Sequence, residues 1–97
     1  MTSQQFDEIM TILGDARRVV FVNVRVPRAW EAPNNAILAD DASRYTNVDL
    51  VDWYAATAGH SELLWDDGIH LTPAGGEAYA KLVAPVVAAI TPVQTAQ

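Results

Sequence analysis

The sequence contains no cysteine and few cationic side chains. Without cysteine, the chain forms no disulfide, offers no thiolate nucleophile and has no Cys-based metal site. Six Lys and Arg residues against twelve Asp and Glu residues give a formal net charge of −6. Nucleic acids and anionic membrane surfaces repel a chain of that sign at long range. We therefore expect no nucleic-acid partner, whereas neutral or cationic small substrates remain compatible with the composition.

Long apolar runs are also absent. The longest one, residues 82–90, is interrupted by Pro85 and is far shorter than the roughly 20 residues that cross a bilayer. Residues 1–15 have neither the basic start nor the apolar run of a signal peptide. Half of the 97 residues are nevertheless hydrophobic (51%), which indicates one small folded domain or a piece of a larger one.

Two short valine-rich runs predict β-strands over residues 18–24 and 48–53. Residues 19–22 are consecutively apolar, a pattern typical of a parallel strand covered on both faces. Strands that alternate with helices favour an α/β fold with a parallel sheet. A two-stranded sheet is marginal alone and leaves two unpaired edges. The sequence therefore predicts that a missing part of the domain, or a second copy of the chain, pairs with at least one edge.

The first and last helices have clear sequence signals. A helix is predicted over residues 4–13, where Thr2 and Gln5 resemble a capping box. Its expected buried stripe is Phe6, Ile9, Met10 and Leu13. The last helix is predicted to start with Thr72 as N-cap and Pro73 at its first position. Its expected core face is Tyr79, Leu82, Val83, Val86, Val87 and Ile90.

The central helices are less strongly marked. After a loop over residues 26–34, a second helix is predicted to begin at Asn34 or Asn35 and to end near Arg44. One or two helical turns are expected over residues 54–58, ending at a glycine.

The strongest chemical signal is the turn that carries Asp67, Gly68 and His70. It follows the second strand, and loops at the carboxyl ends of parallel strands are where catalytic groups gather. With a spacing of three across a glycine turn, the Asp67 carboxylate is placed to accept a hydrogen bond from one ring nitrogen of His70. The other nitrogen is then free to act as a general base. The alternative is a structural turn in which the carboxylate caps backbone N–H groups.

Other polar and aromatic residues carry weaker signals. His60, Asp66 and His70 lack the spacing of a metal site, and we expect no metal. Aromatic faces often line sugar-binding grooves, and Trp65 is a candidate substrate contact because it lies two residues from Asp67. For Trp65 and for Trp30 the favoured interpretation is nevertheless partly buried packing in the fold. Arg25 and Arg28 leave the first strand, where either solvent and ion pairs or an anionic ligand would accommodate them.

The turn and its surroundings resemble a known family. DGIHL at residues 67–71, followed by TPAG at 72–75, resembles the last motif block of the SGNH (GDSL-type) hydrolases. VFVNVRVPR at 20–28, with Trp30, Asn35 and VDWY at 51–54, is similar to the extracytoplasmic SGNH domain of bacterial peptidoglycan O-acetyltransferases, which is fused to an acyltransferase-3 membrane domain. The resemblance extends from about residue 5 to residue 87.

This resemblance implies a fold, a chemistry and a location. The fold would be part of a three-layer α/β/α domain, with residues 1–97 as its C-terminal part and 91–97 as a disordered tail. Family members use a Ser-His-Asp triad to move acyl groups on and off carbohydrate hydroxyls, without a metal or organic cofactor. Asp67 would then be the orienting acid and His70 the general base, and the substrate an acetylated polysaccharide such as peptidoglycan. The location would be extracytoplasmic, although these 97 residues contain no export signal.

The family's other motifs are not found. Its nucleophile lies in a Gly-Asp-Ser block, and its oxyanion hole uses two further blocks. None of the three serines, Ser3, Ser43 and Ser61, follows Gly-Asp. Ser61 lacks the glycine that completes a nucleophile elbow, and we expect it to cap a short turn. The leading hypothesis is therefore a partial O-acyltransferase or esterase domain whose serine lies outside these residues. The alternative is a non-catalytic remnant, or a binding or assembly module that self-associates through a strand edge.

Overall fold

Helices and strands alternate up to α3 along residues 1–89, the part of the chain that the computed structural model describes. In chain order they are α1 (Ser3–Ile12), β1 (Val19–Val22), α2 (Glu31–Ala42), β2 (Val48–Val51), α3 (Trp53–Ala56) and α4 (Pro73–Ala88). A 3₁₀ turn, Ser61–Leu63, precedes α4. The strands pair in parallel, with Val19 opposite Val48 and Val22 opposite Val51. This is a small α/β fold, as the sequence predicts.

The core lies between the sheet and helices α1 and α2. Phe6 is fully buried and stacks on Phe21 with ring centroids 4.6 Å apart. The buried residues around it are Met10, Val19, Leu38 and Ala42. The predicted capping box of α1 is confirmed, since Thr2 Oγ1 accepts from the Gln5 N–H at 3.1 Å and Gln5 Oε1 accepts from the Thr2 N–H at 2.9 Å. The predicted stripe is too long, because Leu13 lies beyond the helix and is exposed.

Helix α2 starts earlier than predicted. It begins at Glu31, and neither Asn34 nor Asn35 is its N-cap. Asn35 instead forms two bonds with the Val24 backbone, accepting from its N–H at 3.0 Å and donating to its carbonyl at 2.8 Å. The Glu31 carboxylate accepts the Val26 N–H at 2.6 Å. The prediction was wrong because the asparagine amide is used to anchor the chain beyond β1 rather than to cap the helix.

Both strands are shorter and less covered than predicted. β1 and β2 have four residues each, and only Val19 and Val51 are buried. Within residues 1–89 the sheet has two strands, so both outer edges lack a strand neighbour there. The radius of gyration is 15.0 Å, compared with about 12 Å for a compact domain of this length. The apolar strand sequences therefore suit a sheet with more cover than residues 1–89 provide.

Helix α4 begins as predicted, with Thr72 Oγ1 accepting from the Gly75 N–H at 3.1 Å and Pro73 in the first turn. Tyr79 packs edge-on against Trp53, with ring centroids 5.0 Å apart. The predicted core face is only half-buried, and Val87 is exposed. Ile90 and the predicted tail, 91–97, lie outside the described residues. No helix within residues 1–89 is both long and apolar enough to cross a membrane.

Candidate active site

The backbone of residues 64–71 closes on itself to form the candidate site. Leu64 and Leu71 form an antiparallel bridge. The Trp65 N–H donates to the His70 carbonyl at 2.9 Å, and the Gly68 N–H donates to the Trp65 carbonyl at 2.8 Å. Gly68 has φ of 70°, a left-handed conformation that glycine adopts without steric cost. The sequence therefore folds locally into a turn that brings residues 67 and 70 to the same side.

Asp67 uses both carboxylate oxygens within this turn. Oδ1 accepts the backbone N–H groups of Ile69 at 2.9 Å and His70 at 3.1 Å. Oδ2 lies 2.5 Å from Nδ1 of His70. Both interpretations of this spacing are thus present in the geometry, since the carboxylate caps the turn and also holds the imidazole. With Nδ1 as the donor, the Nε2 lone pair of neutral His70 is available to accept a proton.

The pair is open to solvent. The side chain of His70 is 76% exposed and that of Asp67 is 43% exposed. No hydrogen bond joins Nε2 to another group within residues 1–89, and no serine hydroxyl there bonds to His70. The imidazole is therefore held at Nδ1 by Asp67 and is open to solvent on the opposite side of the ring.

The hydrogen bonds to Asp67 also set its acidity. The contact with His70, followed by the N–H groups of Ile69 and His70, lowers the pKa of Asp67 from 3.8 to about 2. A lowered pKa contributes stability that is present above the unfolded value of 3.8 and is lost as the pH falls through about 2. The carboxylate is therefore ionised throughout the neutral range, as an orienting group for an imidazolium must be.

His70 is the largest cause of the lowered Asp67 pKa. Replacing His70 with alanine should raise the Asp67 pKa toward 3.8, because the largest cause of the shift is removed. It should not restore 3.8 fully, since the two backbone donors remain. A ¹³C NMR titration of the Asp67 carboxyl measures the change. His60→Ala is the matched control and should leave the titration unaltered. An unchanged Asp67 midpoint in His70→Ala would contradict the geometry.

A cleft of about 360 Å³ adjoins the turn. Its lining includes Trp65 and Gly68 from the turn, Ser61 from the 3₁₀ segment, and Arg25 with Thr57 from the far wall. Trp65 is 55% exposed, so its indole is more open than the expected partial burial. The same holds for Trp30, which is 49% exposed at the start of α2.

The serines at positions 43 and 61 and the candidate metal ligands form no second site within residues 1–89. Ser61 is the first residue of the 3₁₀ turn and His60 is its N-cap, so the prediction that Ser61 caps a short turn is wrong. Ser43 donates to the Asp40 carbonyl at 2.7 Å. Within residues 1–89, no three His, Asp or Glu side chains are grouped as metal ligands.

Asn23 joins the end of β1 to the start of α3 through hydrogen bonds that the sequence does not predict. Asn23 is buried, donates to Asp52 at 2.8 Å and accepts the Tyr54 N–H at 2.8 Å. The Asp52 carboxylate also caps α3 by accepting the Ala55 N–H at 2.9 Å, and these bonds lower the pKa of Asp52. The capping role of Asp52 was predictable from its place before a short helix. The bond to Asn23 spans 29 residues and has no local sequence signal.

Comparisons with known proteins agree with the resemblance. The chain is 38% identical over 86 residues to the peptidoglycan O-acetyltransferase OatA of Listeria monocytogenes, covering 89% of the chain and 14% of that protein. It is 42% identical over 82 residues to the O-acetyltransferase OatA of Staphylococcus aureus, covering 84% of the chain and 13% of that protein. The chain is homologous to a segment of the OatA O-acetyltransferases.

This relationship covers most of the chain but little of its relatives. The chain spans about one-seventh of the length of the curated relatives it matches. No family model matches it. This homology confirms the resemblance of the chain to peptidoglycan O-acetyltransferases, over the segment of those proteins that it matches.

Proposed function

We propose that this chain is part of an SGNH-type O-acyltransferase or esterase domain with the three-layer α/β/α architecture of that family, corresponding to its C-terminal part. In this proposal Asp67 and His70 supply the acid and base of a Ser-His-Asp triad that acts on an acetylated polysaccharide. The observation that carries the proposal is the 2.5 Å contact between His70 Nδ1 and Asp67 Oδ2, with the rest of the imidazole exposed.

The geometry supports a separate role for the serine, for His70 and for Asp67. A serine hydroxyl attacks the acetyl carbonyl while Nε2 of His70 takes the hydroxyl proton. The ionised Asp67 stabilises the imidazolium that forms, and the imidazolium returns the proton to the departing alcohol. In the second half, His70 removes a proton from the acceptor hydroxyl or from water as that oxygen bonds to the acetyl carbon. The imidazolium then returns the proton to the serine oxygen as its bond to the acetyl group breaks. Direct transfer and hydrolysis differ only in which hydroxyl enters.

The nucleophile is proposed to come from outside these 97 residues. No serine here follows Gly-Asp, and none bonds to His70 within residues 1–89. The sparse cover of the sheet is in keeping with this, because the residues that would cover β1, β2 and α4 are also proposed to lie elsewhere.

A grafting experiment tests the proposal. We expect the 97-residue chain alone to hydrolyse an aryl acetate no faster than buffer, because no activated serine is present. A chimera in which residues 5–87 replace the matching segment of Staphylococcus aureus OatA should turn over the ester. A fluorophosphonate probe should label the chimera but not the chain. Hydrolysis by the chain alone that disappears in His70→Ala would contradict the outside nucleophile, and an inactive, folded chimera would contradict the proposal.

One observation favours the alternative function in assembly. Both outer edges of the β1–β2 sheet lack a strand neighbour within residues 1–89, and unpaired edges are templates for association. If the chain is an assembly module, it should elute as a dimer or larger complex on size exclusion. His70→Ala should leave that elution unchanged. The chimera should then be inactive both with and without the His70→Ala substitution.

A further inference from the structure

Asp67 and Gly68 form the only Asp-Gly dipeptide in the sequence. In such a dipeptide the backbone nitrogen of the glycine can attack the side-chain carboxyl carbon of the aspartate, because glycine has no Cβ to shield that nitrogen. The Asp67 side chain is 43% exposed, so water reaches the carboxyl group. By sequence, the aspartate most open to this reaction is therefore the one that contacts His70.

The reaction consumes and releases only water. The Gly68 nitrogen bonds to Cγ of protonated Asp67, while the N–H proton and the carboxyl OH leave as one water molecule, which closes a succinimide ring. Water then opens the ring at either carbonyl. Breaking the bond between nitrogen and Cγ restores aspartate, whereas breaking the original peptide bond gives isoaspartate. In isoaspartate the main chain runs through Cβ and Cγ, and the free carboxylate is attached directly to Cα.

The folded turn restrains both reacting groups. The Gly68 N–H donates to the Trp65 carbonyl at 2.8 Å, and this bond must break before the proton leaves. Oδ1 of Asp67 accepts the N–H groups of Ile69 and His70, and Oδ2 lies 2.5 Å from the His70 imidazole. These contacts favour the ionised carboxylate, which lacks the OH that has to leave. The reaction therefore requires the turn to open locally.

We propose that Asp67–Gly68 is a site of spontaneous isoaspartate formation, and that the hydrogen bonds of the turn, including the contact with His70, suppress the reaction in the folded chain. This chemistry goes beyond the proposed acyl transfer and needs only the turn, so it does not depend on a triad. Isoaspartate places its carboxylate one carbon closer to the main chain and lengthens the main chain by one carbon. The modified residue therefore loses the present set of bonds to Ile69 and His70.

Ageing of the full 97-residue chain measures the suppression. Samples are kept at constant temperature and mildly acidic pH, in buffer or in urea, and mass spectrometry with electron-based fragmentation distinguishes isoaspartate from aspartate at position 67. The parent chain should react at least about tenfold more slowly in buffer than in urea, because opening the turn breaks several hydrogen bonds. This comparison requires no variant.

His70→Ala separates the contribution of the imidazole. In buffer it should react about threefold faster than the parent or more, because the Oδ2 contact is lost. In urea the two chains should react equally, since neither retains the turn. The matched control is His60→Ala, which removes an exposed imidazole 3.4 Å from Glu62 and should react as the parent does in buffer. Circular dichroism reports whether each variant is folded.

Gly68→Ala verifies the reacting dipeptide. In urea it should react at least about tenfold more slowly than the parent, because a Cβ shields the attacking nitrogen, and the comparison does not require the variant to fold. An absence of isoaspartate at position 67 of the parent in urea would overturn the modification site. Equal rates for the parent in buffer and urea, or for folded His70→Ala and the parent in buffer, would overturn the suppression. A folded but inactive chimera would contradict the proposed catalysis and leave the ageing result unaffected.

Discussion

Replacing His70 with alanine in the active chimera should lower kcat/KM for an aryl acetate by about 10³-fold or more, since general-base activation of the serine is lost. The fall should be in kcat with KM nearly unchanged, because the imidazole acts on the transferring proton and does not hold the substrate. The chimera should retain its unfolding temperature, since the His70 side chain is 76% exposed and few packing contacts are lost.

Asp67→Asn should have a smaller but still large effect, on the order of 10²-fold. The amide keeps the size of the side chain, but it no longer fixes the tautomer or stabilises the imidazolium by its charge. The matched control is Asp66→Asn, which removes the same charge from the neighbouring exposed residue and should change kcat by less than about threefold. Equal losses in the two aspartate variants would show that net charge, and not the bond to His70, is what matters.

The features that sequence predicted well are those set by neighbouring residues. Thr2 and Thr72 each accept a backbone N–H three positions along the chain. Asp67 contacts His70 over the same distance. When the two bonded residues are only three positions apart, the side chain can reach few other partners. Residue type and spacing therefore nearly determine the hydrogen bond. The catalytic role assigned to Asp67 and His70 remains a prediction, because a local contact is compatible with a purely structural turn.

The features that sequence missed depend on long-range contacts. Asn34 or Asn35 was predicted to cap α2, but the N-cap is Trp30 and the Asn35 amide binds the Val24 backbone eleven residues away. Arg25 meets Thr57 across 32 residues, and no local pattern marks that pair. The burial of the two strands was also overestimated. An apolar strand sequence shows that the strand suits a covered sheet, but it does not show which residues cover that sheet.

The largest effect on stability is expected at Gly75, the buried glycine in the first turn of α4. A Cβ at this position would lie 1.9 Å from the Leu63 carbonyl oxygen and 2.9 Å from its carbon. Both are backbone atoms, so a side-chain rotation cannot relieve the clash. The same carbonyl accepts the Thr72 N–H at 3.0 Å. Gly75→Ala must therefore shift the backbone of α4 or of the 3₁₀ turn, and this shift strains the Thr72–Leu63 hydrogen bond.

We expect Gly75→Ala to lower the free energy of unfolding by about 3 kcal/mol, at the upper end of overpacking effects. In a domain of this size, that corresponds to a fall in Tm of more than about 10 °C. Thermal and urea unfolding followed by circular dichroism measure the change. A Tm equal to that of the parent chain would contradict the close approach of Gly75 to Leu63.

Gly76 provides a matched control one residue away in the same helical turn. A Cβ there meets no atom within 4 Å. Gly76→Ala should therefore raise stability by about 0.5–1 kcal/mol, because alanine favours the helix and restricts the unfolded chain. The opposite signs at adjacent glycines cannot come from helix propensity alone, which favours alanine at both positions.

The two glycine variants also separate structure from chemistry at the proposed site. Leu63 and Thr72 flank the turn that carries Asp67 and His70, so moving α4 displaces that turn. In the chimera, Gly75→Ala should lose activity and stability together, whereas His70→Ala should lose activity alone. If Gly75→Ala were destabilised but fully active, the acid–base pair would not depend on the contact of α4 with the 3₁₀ turn.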